Sequence, residues 1–334
     1  MNIKNKVKEI QKNSIIIDAH FDLLMDVLRK RENGRINIIE SDYLKKFKKG
    51  GINIIVSSIF IDNKFLPEQG LKRALLQISA LYQEIKESNN KVILCKNYDD
   101  IMNTIKKDKI GILLSFEGVE PIGNDLNLLD IFYELGVRMA GITWSRRNYA
   151  ADGCHFDKKV EGKKGGLTDF GVELIKKMEK MNMIIDVSHI NDQGFWDIIN
   201  FSKTPIIASH SNVRTLSSSM RNLTDEQIKA IAERDGVIGM NGNSIFISNS
   251  NPSIDTFIDH VDYIVNLVGI EHVGIGFDFC DMFRNENSKT FDVIKGHEDI
   301  GKFIEKLLEH GYNDKEIKLI LGNNFLRVYK NILN

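Results

Sequence analysis

The stretch Ile15-Ile16-Ile17-Asp18-Ala19-His20-Phe21-Asp22 decides how this chain is read. Its first half is an apolar, β-branched run of the kind that makes a buried strand, and it runs straight into a histidine and an aspartate two positions apart. In an extended backbone residues i and i+2 point to the same side, so His20 and Asp22 converge on one point. An imidazole and a carboxylate meeting at the mouth of a buried strand form a metal-ligand arrangement. Such a pair has little specificity alone; what gives it weight is that similar strand endings recur down the chain.

Seven further segments repeat the pattern of a short apolar run, a polar residue or glycine, and then a helical stretch: 52–60, 110–116, 137–143, 183–187, 205–209, 237–240 and 273–277. With 15–19 they make eight. Most are apolar on both faces, which suits parallel strands covered by helices. Between them lie amphipathic helices, among them 71–88 and 170–181. Thr224-Asp-Glu-Gln227 reads as a capping box, with Leu223 and Ile228 as its hydrophobic staple. Ile300, Phe303, Ile304, Leu307 and Leu308 form a stripe closed by Gly311, and Asn313 opens a last helix through Ile320. Eight strand-helix units predict an α/β fold, a (β/α)8 TIM-type barrel with residues 1–334 as one domain; a doubly wound open sheet is the structural alternative. Two long polar segments, 146–168 and 279–296, follow strands and would lie on the C-terminal face of a barrel, where active sites are built.

Composition narrows the partners. Across 334 residues, Lys+Arg 45 balance Asp+Glu 46, so no basic surplus points to nucleic acid or an anionic membrane. Cys95, Cys154 and Cys280 are too few and too scattered for a disulfide framework or a cysteine zinc site, which suits a reducing cytoplasm. The first ten residues read as a short charged helix without the apolar core of a signal peptide. No apolar run approaches the ~20 residues of a membrane span. The expectation is a soluble, cytoplasmic protein.

The residue that closes each strand is the informative one. Strand one ends in His20 and Asp22, strand three in Glu117, strand five in His189, strand six in His210 and strand eight in Asp278. A lone charge at the end of an apolar strand is costly to bury without a partner, and these groups partner one another best through metal ions. A catalytic zinc takes four ligands and keeps one position for water, so five candidate ligands are too many for one ion. They suit two, with His20 and Asp22 on the first, His189 and His210 on the second, Glu117 between, and a hydroxide bridging both. Asp278 is better placed to move protons. Arg221, in a Ser-rich loop eleven residues past His210, could clamp a carboxylate or an oxyanion; composition alone would make it a surface arginine. The remaining histidines, at 155, 260, 272, 297 and 310, are expected to be surface or packing residues.

These residues resemble the membrane (renal) dipeptidase family, zinc peptidases of the amidohydrolase-like barrel group. The likeness is carried by Asp18-Ala-His-Phe-Asp22, Ser115-Phe-Glu-Gly118, Gly166-Leu-Thr-Asp-Phe-Gly171, Met183-Ile-Ile-Asp-Val-Ser-His189, Ala208-Ser-His-Ser211, Arg221-Asn-Leu-Thr-Asp225, Gly274-Ile-Gly-Phe-Asp-Phe279 and Gly322-Asn-Asn-Phe-Leu-Arg327, in family order from residue 18 to 327. The resemblance implies metal ligands at His20, Asp22, Glu117 (bridging), His189 and His210, a substrate-binding arginine at Arg221 and an acid/base aspartate at Asp278. It implies two divalent ions, with zinc expected and manganese or cobalt equally acceptable to these ligands. The implied substrates are L-L dipeptides and those with a D-residue on the C-terminal side, and homodimers are the family's habit.

Two departures stand out. Mammalian members carry a substrate-binding histidine where this chain has Thr143-Trp144-Ser145. Trp144 cannot take a proton and donates one hydrogen bond, so oxyanion stabilisation leans on the metals and Arg221, with Asn148 as the neighbour expected to help. The usual Asp-Phe-Asp after strand eight is Asp278-Phe279-Cys280. The expectation is also that the secretion signal and lipid-anchor tail of animal members are lacking. The alternatives are another amidohydrolase activity, such as lactone hydrolysis, and a catalytically impaired barrel acting as a binding protein. Many amidohydrolases bridge their metals with a strand-four lysine, and 137–143 has none; Trp144 and Cys280 are what favour the impaired barrel.

Overall fold

The computed structural model describes residues 2–155, 165–284 and 288–334. Its strands are β1 (Ile17–Phe21), β2 (Ile54–Phe60), β3 (Val92–Leu94), β4 (Ile110–Glu117), β5 (Val137–Gly141), β6 (Ile184–Asp186), β7 (Ile206–Ala208), β8 (Val237–Met240) and β9 (Val273–Ile275). All pairings are parallel, in the order β1-β2-β4-β5-β6-β7-β8-β9. The order never reverses, whereas a doubly wound sheet needs a reversal at its switch point. The result is a nearly closed eight-stranded barrel clothed in helices, and each barrel strand overlaps a segment that the apolar runs predict, β1 running two residues and β4 one residue past theirs. β3 is an addition. It pairs with the first residues of β4 (Val92↔Ile110 to Leu94↔Ile112), while β5 pairs with β4 from Leu114 onward.

Alternation along each strand separates two apolar layers. Ile17, Ala19, Ile54, Val56, Leu113 and Met139 belong to one cluster, completed by Phe325, Val328 and Tyr329 of the last helix. Ile55, Ile59, Ile112, Leu114 and Phe116, the intervening residues, pack in the larger cluster with the surrounding helices. The helix Asn324–Ile332 therefore packs under the starts of the strands and seals the end of the barrel opposite the strand termini that carry His20 and Glu117. The sequence pattern stops at Ile320; in the structure a helix Asp314–Lys318, a turn of π-helix Leu319–Asn323 and this sealing helix follow one another. Gly322 breaks the periodicity because the chain passes close to the Ile15 carbonyl there, 2.5 Å from where a Cβ would stand.

The helices Gly70–Glu87, Asp169–Lys180 and Ile300–Glu309 lie where their stripes place them, and the Thr224–Gln227 capping box is formed. The barrel closes between β9 and β1 through a side chain. Asp18 accepts hydrogen bonds from the His20 amide (3.3 Å), the Phe277 amide (3.0 Å) and His297 Nε2 (2.7 Å). One buried carboxylate thus ties the end of strand one to the backbone that leaves β9. Among the described residues no helix is long and apolar enough to cross a membrane. Parts of the two long predicted loops, 156–164 and 285–287, lie outside the described residues.

Candidate metal centre

His20 lies in β1, Glu117 closes β4, and His189 and His210 follow β6 and β7 within three residues. Their side chains meet at the C-terminal mouth. Glu117 Oε1 is 3.1 Å from His189 Nε2, 3.7 Å from His20 Nε2 and 3.7 Å from His210 Nε2. His189 and His210 bring their Nε2 atoms to 2.9 Å, and the His20 and His210 rings stack at 3.6 Å. Asp22, leaning on Ser58 and Glu117, joins from the side of His20.

Local backbone explains this aim. His189 (φ 69°) and Asp278 (φ 55°) sit in the left-handed region, which turns each side chain at its strand end away from the direction the strand would dictate. Gly239 and Gly276 both press against the Ser209 carbonyl, where a Cβ would stand 2.0 and 1.8 Å from that oxygen. Only glycine lets the chain before His210 lie this close to its neighbours.

Supporting hydrogen bonds fix which imidazole nitrogen faces the centre. The Asp186 carboxylate only accepts, so the Ser209 hydroxyl spends its proton on Asp186 Oδ2. Ser209 Oγ must then accept from His210 Nδ1, 2.7 Å away, which leaves His210 Nε2 with a lone pair toward the centre. Ser145 Oγ lies at hydrogen-bond distance, 2.8 Å, from His189 Nδ1.

Burial dominates the electrostatics. It lowers His20 to about 3, with Arg221 adding to the effect, and it drives His189 and His210 well below the usual imidazole range. The three rings are therefore neutral, as metal ligation requires. Burial, then the charges of Asp22 and Asp278, hold Glu117 well above the usual carboxylate range. Asp22 is raised by burial too, with Ser58 opposing. Burial followed by the Asp22 charge lifts Asp278 to about 7. Within this cluster His20 Nε2 and Glu117 Oε2 are buried and have no hydrogen-bond partner among the described residues. Convergent lone pairs, carboxylates short of compensation and orphaned buried acceptors fit a divalent cation, which supplies the missing positive charge.

The structure brings together His20, Asp22, Glu117, His189, His210 and Asp278. Five of them fall into two overlapping groups of possible ligands, His20–Glu117–His210 and His20–Asp22–Asp278, and His189 stands beside the first, 3.1 Å from Glu117. Asp278 thus stands as near to His20 (3.8 Å) as Glu117 does, rather than apart from the ligand set. Asn241 donates to its Oδ2 at 2.9 Å and the Cys280 thiol to its Oδ1 at 3.4 Å. Trp144 lines a cleft of about 240 Å³ over the floor formed by Asp22, Glu117, His189 and Asp278.

Asn148 does not reach the cleft. Its amide donates to the Ile142 carbonyl and accepts from the Ala150 and Ala151 amides, so it shapes its own loop. Arg221 is buried, not superficial, and donates to the Ser211 hydroxyl and the His210 carbonyl; it is not among the residues lining the cleft, and its Nε has no partner among the described residues. Ser58, Ser145, Asp186, Ser209 and Asn241 escape a reading that follows only strand-end ligands; an aspartate inside the apolar run of β6 was the one available signal. Of the other histidines, His260 packs at full burial between the Val213 amide and the Ile247 carbonyl, and His297 holds Asp18.

A parallel barrel with imidazoles and carboxylates gathered at the carboxyl ends of its strands has the architecture of a barrel metallohydrolase. Residues 4–334 match the family model for membrane dipeptidases, peptidase family M19, and the chain belongs to that family. It is thus a hydrolase of the metal-dependent dipeptidase kind. Among relatives, an uncharacterised protein from the pqqA 5′ region of Klebsiella pneumoniae is 31% identical over 77% of this chain and 94% of its own length. An uncharacterised dipeptidase of Schizosaccharomyces pombe is 28% identical over 98% and 82%. The fold matches a metallo peptidase from Rhodobacter sphaeroides, solved with a phosphinate mimic of the dipeptide L-Ala-D-Ala, at a TM-score of 0.86 and 24% identity over 96% of this chain and 100% of that one.

Proposed function

We propose that this chain hydrolyses L-L dipeptides, and L-D dipeptides as well, at a centre that holds two divalent ions of the zinc type. The observation that carries the reading is the meeting of three neutral imidazoles with Glu117 at 3.1–3.7 Å, where His20 Nε2 and Glu117 Oε2 have no hydrogen-bond partner among the described residues. His20 and Asp22 would hold one ion and His189 and His210 the other, with Glu117 shared between them. Bound ions of this kind supply Lewis-acid polarisation of the scissile carbonyl and a water-derived nucleophile at neutral pH. The protein's own groups do the rest. Ser209 with Asp186, and Ser145, orient the two imidazoles. Asp278, lifted to about 7, can both accept and return a proton near neutrality, so it takes one from the attacking water and delivers it to the leaving amine. Arg221 sets a buried positive charge near the floor, which favours the substrate carboxylate and the developing oxyanion. Three scattered cysteines, Cys95, Cys154 and Cys280, suit a reducing, cytoplasmic setting.

The test is hydrolysis of a library of L-Xaa-L-Xaa and L-Xaa-D-Xaa dipeptides by protein stripped of metal and then reloaded, beside a panel of lactones. Dipeptide cleavage that disappears with chelation and returns with two equivalents of metal is expected. Lactone cleavage alone, or dipeptide cleavage indifferent to chelator, would overturn the reading.

A further inference from the structure

Over the metal-binding floor the cleft has one apolar side. In the eight barrel strands every residue is buried except Phe60, the last residue of β2, which is half-buried. Phe60 faces the cleft with Trp144, their ring centroids 5.4 Å apart, and Trp144 lies along the His189 ring at 5.9 Å. Arg146 stands over both aromatic rings, at 5.3 Å from Phe60 and 5.2 Å from Trp144. It is pinned by Glu120 Oε1 (2.6 Å), the Ile61 carbonyl (2.9 Å) and Asn63 Oδ1 (3.1 Å). That anchoring fixes the wall in place. Met25, Ile245 and Phe283, each half-buried, continue the apolar lining.

Among the described residues, the charged groups on this side are already paired. Arg284, the arginine of the lining, is already ion-paired with Asp281 and Asp292. Arg146 repels a second cation and is itself neutralised by Glu120. A charged side chain placed against Phe60 and Trp144 would lose hydration and gain no counter-charge. An apolar one would cover rings that water otherwise wets, a gain proportional to the area removed from water.

Resting on the dipeptidase reading above, we infer that the Phe60–Trp144 wall selects dipeptides in which one side chain is large and apolar or aromatic, and rejects charged ones at that position. Trp144 is then a specificity-determining residue.

The experiment measures kcat/KM of metal-loaded protein on two series, Xaa-Ala and Ala-Xaa, with Xaa as Gly, Leu, Phe, Asp or Lys. In one series Leu and Phe should exceed Gly, Asp and Lys by about 10–100-fold, the range that a few apolar contacts provide. Trp144→Ala and, independently, Phe60→Ala should shrink the Leu/Gly ratio to about threefold or less, while Trp144→Phe should retain most of it. Two flat series, a preference for charged residues in both, or a Leu/Gly ratio unmoved by either alanine variant would overturn the inference and leave the dipeptidase reading standing. If metal-loaded protein cleaves no member of either series, the dipeptidase reading falls and this inference with it.

Discussion

Asp278 occupies a left-handed backbone position, with Asn241 on one carboxylate oxygen and the Cys280 thiol on the other, 3.8 Å from His20. Its proximity to the imidazole allows two roles, and one substitution separates them. Asp278→Asn should lower kcat by about 10²–10⁴-fold, as expected for loss of a general acid/base, with metal content by elemental analysis unchanged. Loss of a metal equivalent would make Asp278 a ligand instead. Ser209 tests the orientation of His210. Ser209→Ala cuts the link to Asp186 that leaves the Nε2 lone pair facing the centre, so metal affinity by chelator competition should fall about 10–100-fold. Unchanged affinity would show that the link does not govern the ring. The residues gathered at the mouth were legible because each ends an apolar strand, where an ionisable group is too costly to bury unless something pairs with it. Asn148 was misread for a reason visible only in space: its donors and acceptor turn back onto its own loop.

At the scale of the element, the join between β9 and β1 depends on the Asp18 carboxylate and on His297, which lies 279 positions away in sequence. His297→Leu keeps the ring's apolar contacts with Phe21, Phe47 and Phe279 in part but removes a donor from a fully buried carboxylate. A loss of about 1–3 kcal/mol is expected, the cost of leaving such a group short of a partner, read by denaturant unfolding of the metal-free protein. A stability unchanged within error would mean that the backbone holds the join without it. The eight barrel strands were readable because burial on both faces demands continuous apolar runs. β3 (Val92–Leu94), no shorter than β6, β7 or β9, escaped because it stands off the barrel path and pairs with β4 alone, a placement only the structure reveals; the sealing helix Asn324–Ile332 escaped because Gly322 interrupts its periodicity.

For the whole molecule, the metal centre couples stability to pH. Burial raises Glu117, Asp22 and Asp278, the last to about 7, so in the metal-free fold these carboxyls hold protons well above the usual carboxylate range. A group whose folded pKa is raised contributes stability below its unfolded pKa and loses it as pH climbs through the folded value. The metal-free protein therefore loses the Asp278 contribution between about pH 4 and 7, and raised Glu117 and Asp22 act in the same direction. A metal must displace the same protons, so its apparent affinity grows over that interval. The imidazoles, with His20 near 3, are already neutral there and add no proton cost. The gap in Tm between metal-loaded and metal-free protein should widen from pH 5 to pH 8 at fixed metal concentration. A constant or narrowing gap would contradict protonated carboxyls in the metal-free site.

By itself the sequence determined the identity of the strands, their parallel arrangement and the residues that end them, because burial on two faces and the isolation of a charge at an apolar terminus are local properties of the chain. The tertiary structure alone decided how those ends are used. Tautomer, depressed or raised acidity, the burial of Arg221, the Asp18 closure and the Phe60–Trp144 wall all arise between residues far apart in the chain, through desolvation and distance, which no linear pattern records.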